Sequence, residues 1–144
     1  MLKKIVIGLV GLSLVGGIAW AQSDPIADRI ANRKESYRNY RVIKKVVDDK
    51  GAPALATEAA MRMVDLQKKF ITMFPAGSDK GDTKALPLIW TDWAGFEKAN
   101  KDAEAAAMRL VDATKGSDLG AVDKALKVFV DSCEACHDIY HKPK

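Results

Sequence analysis

The sequence predicts an all-α protein, an antiparallel up-down-up-down four-helix bundle with its chemistry near the C-terminus. Apolar residues recur by threes and fours in four separate segments. No run alternates apolar and polar residues between turn signals, as a half-buried strand would. The connections are short except for one polar stretch from Pro75 to Leu86, and short connections make consecutive helices antiparallel neighbours.

The start of the 144-residue chain reads as a targeting segment rather than as part of the fold. Lys3 and Lys4 precede an apolar run from Ile5 to Ile18, and Ala19-Trp20-Ala21 has the small-residue pattern of a cleavage site. Residues 1–21 are therefore expected to be a cleaved signal peptide, with residues 22–144 forming one domain in the periplasm. The run is too short for a comfortable membrane span and no second one follows, so stable membrane insertion is not expected. The formal charge of +4 includes Lys3 and Lys4, and the remaining charges of both signs are interspersed. That pattern is a solvated surface and excludes a strong nucleic-acid footprint.

The first helix is expected over residues 24–49. Asp24 before Pro25 suits an N-cap with proline in the first turn, and Ile26, Ile30, Tyr37, Tyr40 and Val47 follow one face. Gly51 and Pro53 stop it. Residues 54–74 carry Leu55, Ala59, Met63, Leu66 and Phe70 at helical steps and end at Pro75. The third helix, Thr91 to Lys115, carries Trp93, Phe96, Ala103, Ala107, Leu110 and Val111, with Gly116, Ser117 and Gly120 as breakers. The last, about Leu119 to His141, aligns Val122, Leu126, Phe129, Cys133, Cys136, His137 and Tyr140, which puts both cysteines and the histidine on its buried stripe.

Cys133-Glu134-Ala135-Cys136-His137 is the C-x-x-C-H pattern through which haem c is attached covalently. Two thiols one helical turn apart match the two vinyl groups on one porphyrin edge, and the adjoining imidazole is a good iron ligand. Three other readings compete. A thiol-disulfide exchanger uses C-x-x-C beside a βαβ pattern, which is missing here. A zinc site would need Cys133, Cys136, His137 and His141 of one helix to close a tetrahedron, which is awkward. A disulfide between cysteines three apart on a regular helix has poor geometry. Only seven residues follow His137, so a second axial ligand would have to come from upstream.

The chain resembles the cytochrome c′ family, the class II c-type cytochromes, over essentially all of residues 24–144. The resemblance rests on Cys133 to His137 followed by Asp138-Ile139-Tyr140, on Ile89-Trp90-Thr91-Asp92 to Phe96, and on Ile30-Ala31-Asn32-Arg33. It implies one haem c per chain with its iron on His137, and a first helix crossing the opposite, distal face. Aligning Arg33 with the family's arginine places it at a propionate and puts Tyr37, one turn later, over the iron. A neutral phenol is a poor iron ligand, so the iron is expected to be five-coordinate. The bland readings are a core aromatic for Tyr37 and a solvated charge for Arg33.

The resemblance further implies binding of small gases, nitric oxide and carbon monoxide, electron exchange with an unidentified redox partner, and a homodimer through the first two helices. The alternative is a low-spin shuttle of the cytochrome c-556 type, which needs a methionine where Tyr37 stands. Met61, Met63, Met73 and Met108 are the remaining candidates, although methionine at helical spacing usually fills core. The chain is not expected to be an enzyme, since no arranged acid-base set accompanies the motif. The family often has arginine where this chain has His141, which puts any role inherited from that arginine in doubt.

Overall fold

The computed structural model describes residues 24–143, so the expected signal peptide, residues 1–21, lies outside the described residues. Helix α1 (Pro25–Asp48) starts where Asp24 Oδ1 accepts from the Ile26 and Ala27 amides at 2.9 and 3.2 Å, with Pro25 filling the first position. A 3₁₀ turn at Pro53–Ala56 leads into α2 (Thr57–Phe70), and a second at Ile71–Met73 ends it. After the Phe74–Pro87 connection come the single-turn α3 (Leu88–Thr91), α4 (Trp93–Thr114) and α5 (Leu119–Tyr140). Asp92 and Asp118 cap α4 and α5 through the Gly95 and Gly120 amides, so Gly120 lies inside α5 instead of breaking the chain before it.

Side-chain bridges between one helix's start and its neighbour's end fix the antiparallel order. Asn32 Nδ2 of α1 donates to Leu66 O of α2 at 3.1 Å, and Thr57 Oγ1 at the head of α2 donates to Thr114 Oγ1 at the tail of α4 at 2.9 Å. Tyr140 at the end of α5 donates its hydroxyl to Asp92 Oδ2 at the head of α4 at 2.6 Å. The long helices therefore form the expected up-down-up-down bundle, packed in the cyclic order α1, α2, α4, α5.

The core has two parts along the bundle axis. One gathers Ile43, Ala59, Ala60, Met63, Ala106, Ala107, Leu110, Val122, Leu126 and Phe129, with small alanines letting α2 and α4 approach closely. The other is aromatic: Phe96 packs edge-on to Phe74 at 4.7 Å and to Tyr140 at 5.3 Å, with Ile89 beside them. Burying each large side chain contributes about 1.5–3 kcal/mol. The exposed i,i+3 and i,i+4 ion pairs, such as Arg62 with Glu58, add little.

Several expected core residues lie outside it. Leu55 in the 3₁₀ turn, Trp93 at the head of α4, and Ile30 and Tyr37 on α1 are all exposed. On α1 the buried positions are Arg29, Asn32, Asn39 and Ile43. Ile30, Arg33 and Tyr37 lie about a third of a turn around the helix from that stripe, at ~100° per residue. Periodicity alone registers two such faces as one helix and does not say which is buried.

Candidate functional site

The C-x-x-C-H motif occupies the last two turns of α5, where the two parts of the core meet. Cys133 packs on the aliphatic part and Cys136 on the aromatic part, and neither thiol is in a disulfide. Both are half-buried and His137 is exposed, which corrects the expectation that all three belong to the buried stripe of α5. Helix α5 forms a seam with α1, and α1 packs less extensively against α5 than against α2.

Burial pushes both thiols up to about 11, so they are protonated at neutral pH. His137 is held below the usual imidazole range, first by burial and then by the positive charges of His141 and Arg33. Its ring is therefore neutral near pH 7, with a lone pair free to bind a metal.

On the α1 side stand Ile30, Arg33 and Tyr37, all exposed. Arg33 has no ion-pair partner among the described residues, and Tyr37 stacks on half-buried Tyr40 with ring centroids 6.1 Å apart. Of the expected site residues, Cys133, Cys136 and His137 lie on α5 and Arg33 and Tyr37 on α1.

The four methionines of the described residues lie elsewhere. Met61 and Met108 line an outer groove between α2 and α4, Met73 lines a groove beside Pro25 and Lys69, and Met63 is buried in the aliphatic core. His141, just past α5, is half-buried: its ring is 5.0 Å from that of His137, and its backbone pairs with Ala85.

The donor chemistry suits haem c. Two reduced thiols one turn apart, a neutral imidazole beside them, an apolar and aromatic strip across the seam and an unpaired guanidinium at its edge match what a thioether-linked, anionic porphyrin needs. No group of three or more His, Cys, Asp or Glu residues suited to a metal ion occurs among the described residues, so the tetrahedral zinc alternative lacks its ligand set.

Two supporting residues escaped sequence reasoning. The Tyr140 hydroxyl, pushed up to about 12 mainly by its bond to Asp92, ties the end of α5 to the head of α4. Gly95 makes this approach feasible, because a side chain there would collide with Asp92 and Tyr140. Arg29 is the other. Its guanidinium is buried without a carboxylate partner and binds oxygens 44 to 54 residues away in the chain. No local pattern signals partners so distant, most of them in a loop.

Comparison with known proteins identifies the family. The family profile described as Cytochrome C' matches residues 24–141. A cytochrome c′ of Rhodopseudomonas palustris is 31% identical over 147 residues, covering 99% of both chains. The solved cytochrome c′ of Shewanella frigidimarina is 33% identical, with a TM-score of 0.75 over 83% of this chain and 95% of its own. A nitric oxide complex of a variant cytochrome c′ from Alcaligenes xylosoxidans shares the fold at 24% identity, with a TM-score of 0.76 over 84% of this chain and 95% of its own. With the profile spanning every long helix and a relative alike from end to end, the chain belongs to the cytochrome c′ family, whose proteins carry covalently bound haem c.

Proposed function

We propose that Cys133 and Cys136 hold one haem c through thioether links, that His137 ligates its iron, and that Arg33 pairs with a propionate. Tyr37 faces the other side of the iron without binding it. The bound haem supplies an iron centre that takes up diatomic gases and cycles between ferric and ferrous states.

The chain's own residues do the rest. Two attachment points one turn apart fix the ring's orientation against α5, and the neutral His137 imidazole offers its lone pair. The Arg33 guanidinium compensates propionate charge. Tyr37 is 61% exposed and held mainly by stacking on Tyr40, so it can swing toward solvent without opening the core. That makes it a gate whose displacement costs little more than the stacking contact.

Five-coordinate iron is supported by one observation above all: the methionines of the described residues lie in other grooves or in the core. Nitric oxide and carbon monoxide are the ligands we assign, in keeping with the nitric oxide complex of the Alcaligenes relative. We read the chain as an exported periplasmic protein with residues 1–21 as signal peptide and 22–144 as the mature domain. It acts as a gas-binding and electron-transfer protein rather than an enzyme, and works as a homodimer. No helix among the described residues is long and apolar enough to cross a membrane.

The absorption spectrum of the reduced, haem-loaded protein tests the coordination state. Broad high-spin bands that sharpen on adding carbon monoxide are expected. Sharp, split bands insensitive to carbon monoxide would establish six-coordinate iron and a c-556-type shuttle instead.

A further inference from the structure

Arg29 sits one turn before Arg33 on α1, and the propionate and gating roles do not use it. Only 8% of its surface is exposed. One guanidinium nitrogen donates to Met73 O and Ser78 Oγ, each at 3.1 Å, and the other to Ser78 O at 2.8 Å and Thr83 Oγ1 at 3.4 Å. The cation also lies 4.7 Å from the centre of the Phe74 ring and 6.0 Å from that of Trp90. Burial lowers its pKa, and the charge of Asp24 opposes that shift. A buried cation matched only by neutral oxygens and ring faces is an expensive device where an apolar residue would pack.

The loop that Arg29 grips also holds the far end of α5. Leu86 N donates to Tyr140 O at 2.9 Å, Lys142 N donates to Lys84 O at 2.8 Å, and Ala85 pairs with His141. Lys142 Nζ adds a bond to Thr83 O at 3.0 Å. The Thr83 hydroxyl, which accepts from Arg29, accepts as well from Ala85 N at 3.1 Å. His141 in turn donates its amide to His137 O at 3.1 Å and sets its ring against the His137 ring. A path of hydrogen bonds and short stretches of backbone therefore runs from α1 through Thr83 and the 84–86 segment to the turn that carries His137.

We propose that Arg29 is a positioning residue for His137: by clamping the 74–87 loop it fixes the exit of the chain from α5, and so the direction of the axial imidazole. The same residue ties α1, which bears Arg33 and Tyr37, to the opposite side of the site. A packing role alone would need neither the charge nor the four directed bonds. The assignment rests on His137 being the iron ligand, and its test reports on the clamp separately from that reading.

The experiment compares wild type, Arg29→Gln and the milder Thr83→Val, with Thr114→Val as a control that removes a buried hydroxyl at the other end of the bundle. Hydrogen exchange at the Leu86 and Lys142 amides reads the clamp, and the iron–imidazole stretching band and reduction midpoint of the haem-loaded protein read the axial ligand. Exchange at both amides is expected to accelerate about tenfold or more in Arg29→Gln and less in Thr83→Val. The band and midpoint should shift in the same order, while Thr114→Val lowers the melting temperature and shifts neither. Unchanged exchange, or faster exchange with a wild-type band and midpoint, would overturn the positioning role. Wild-type protein without attached haem would instead overturn the His137 reading, whatever the amides do.

Discussion

Phe96 offers a measurable test of the aromatic core behind the motif. It is 1% exposed, and its ring meets Phe74 edge-on at 4.7 Å and Tyr140 edge-on at 5.3 Å. Phe96→Leu keeps much of the apolar volume and removes both edge-on pairs, together with the looser tilted contacts to Trp93 at 5.7 Å and Phe70 at 6.3 Å. Each such pair is worth about 0.5–1.5 kcal/mol beyond the area it buries, so the loss should be about 1–3 kcal/mol. At roughly 4 °C per kcal/mol for a domain of this size, the melting temperature should fall by about 4–12 °C.

Guanidinium unfolding of the haem-loaded protein, followed by far-ultraviolet circular dichroism, gives the free energy directly. A double-mutant cycle with Phe74→Leu isolates the pair term, expected at about 0.5–1.5 kcal/mol. Ile43→Val, in the aliphatic core, should cost about 0.5–1.5 kcal/mol and couple to neither. A Phe96→Leu loss below about 0.5 kcal/mol, or a cycle with no coupling, would refute the claim that ring geometry stabilises this end of the bundle.

Cys133→Ser and Cys136→Ser should each retain haem through one thioether, seen as a haem-sized mass on the denatured chain, and the double variant should lose covalent haem altogether. Tyr140 should ionise near pH 12 in a spectrophotometric titration, and this late step should vanish in Tyr140→Phe. Because its folded pKa lies above the unfolded value near 10, the Asp92 bond stabilises the fold fully below that value and is lost as pH rises toward 12, which pH-dependent unfolding will register. Thr114→Val removes a fully buried hydroxyl that accepts from Thr57 and donates to Val111 O at 2.7 Å, and should cost about 1–2 kcal/mol in thermal unfolding. The visible spectrum of that variant should match wild type.

The four long helices were legible because each carries its own period of apolar residues and its own punctuation: Asp24 and Pro25 at the start of α1, Pro75 beyond α2, Gly116 before α5. The C-x-x-C-H motif was legible for a related reason, since it is spelled by five consecutive residues, Cys133 to His137. Burial was less so. Ile30 and Tyr37 satisfy the helical period as well as Ile43 does, yet they are exposed while Asn32 and Asn39 are buried. Which side of a helix turns inward depends on what its neighbours present, and that information lies in other segments.

The amino-acid order is sufficient for what is local: where helices begin and end, that the chain is all-α, and that a C-x-x-C-H turn near the C-terminus is built for haem. Three-dimensional packing settles what needs distant segments to meet. It sets Tyr140 on Asp92, and Arg29 on a loop 44 to 54 residues away. Local propensities are fixed by a few neighbouring side chains, whereas a buried cation or a shared proton takes its meaning from oxygens that become neighbours only when the chain has closed on itself.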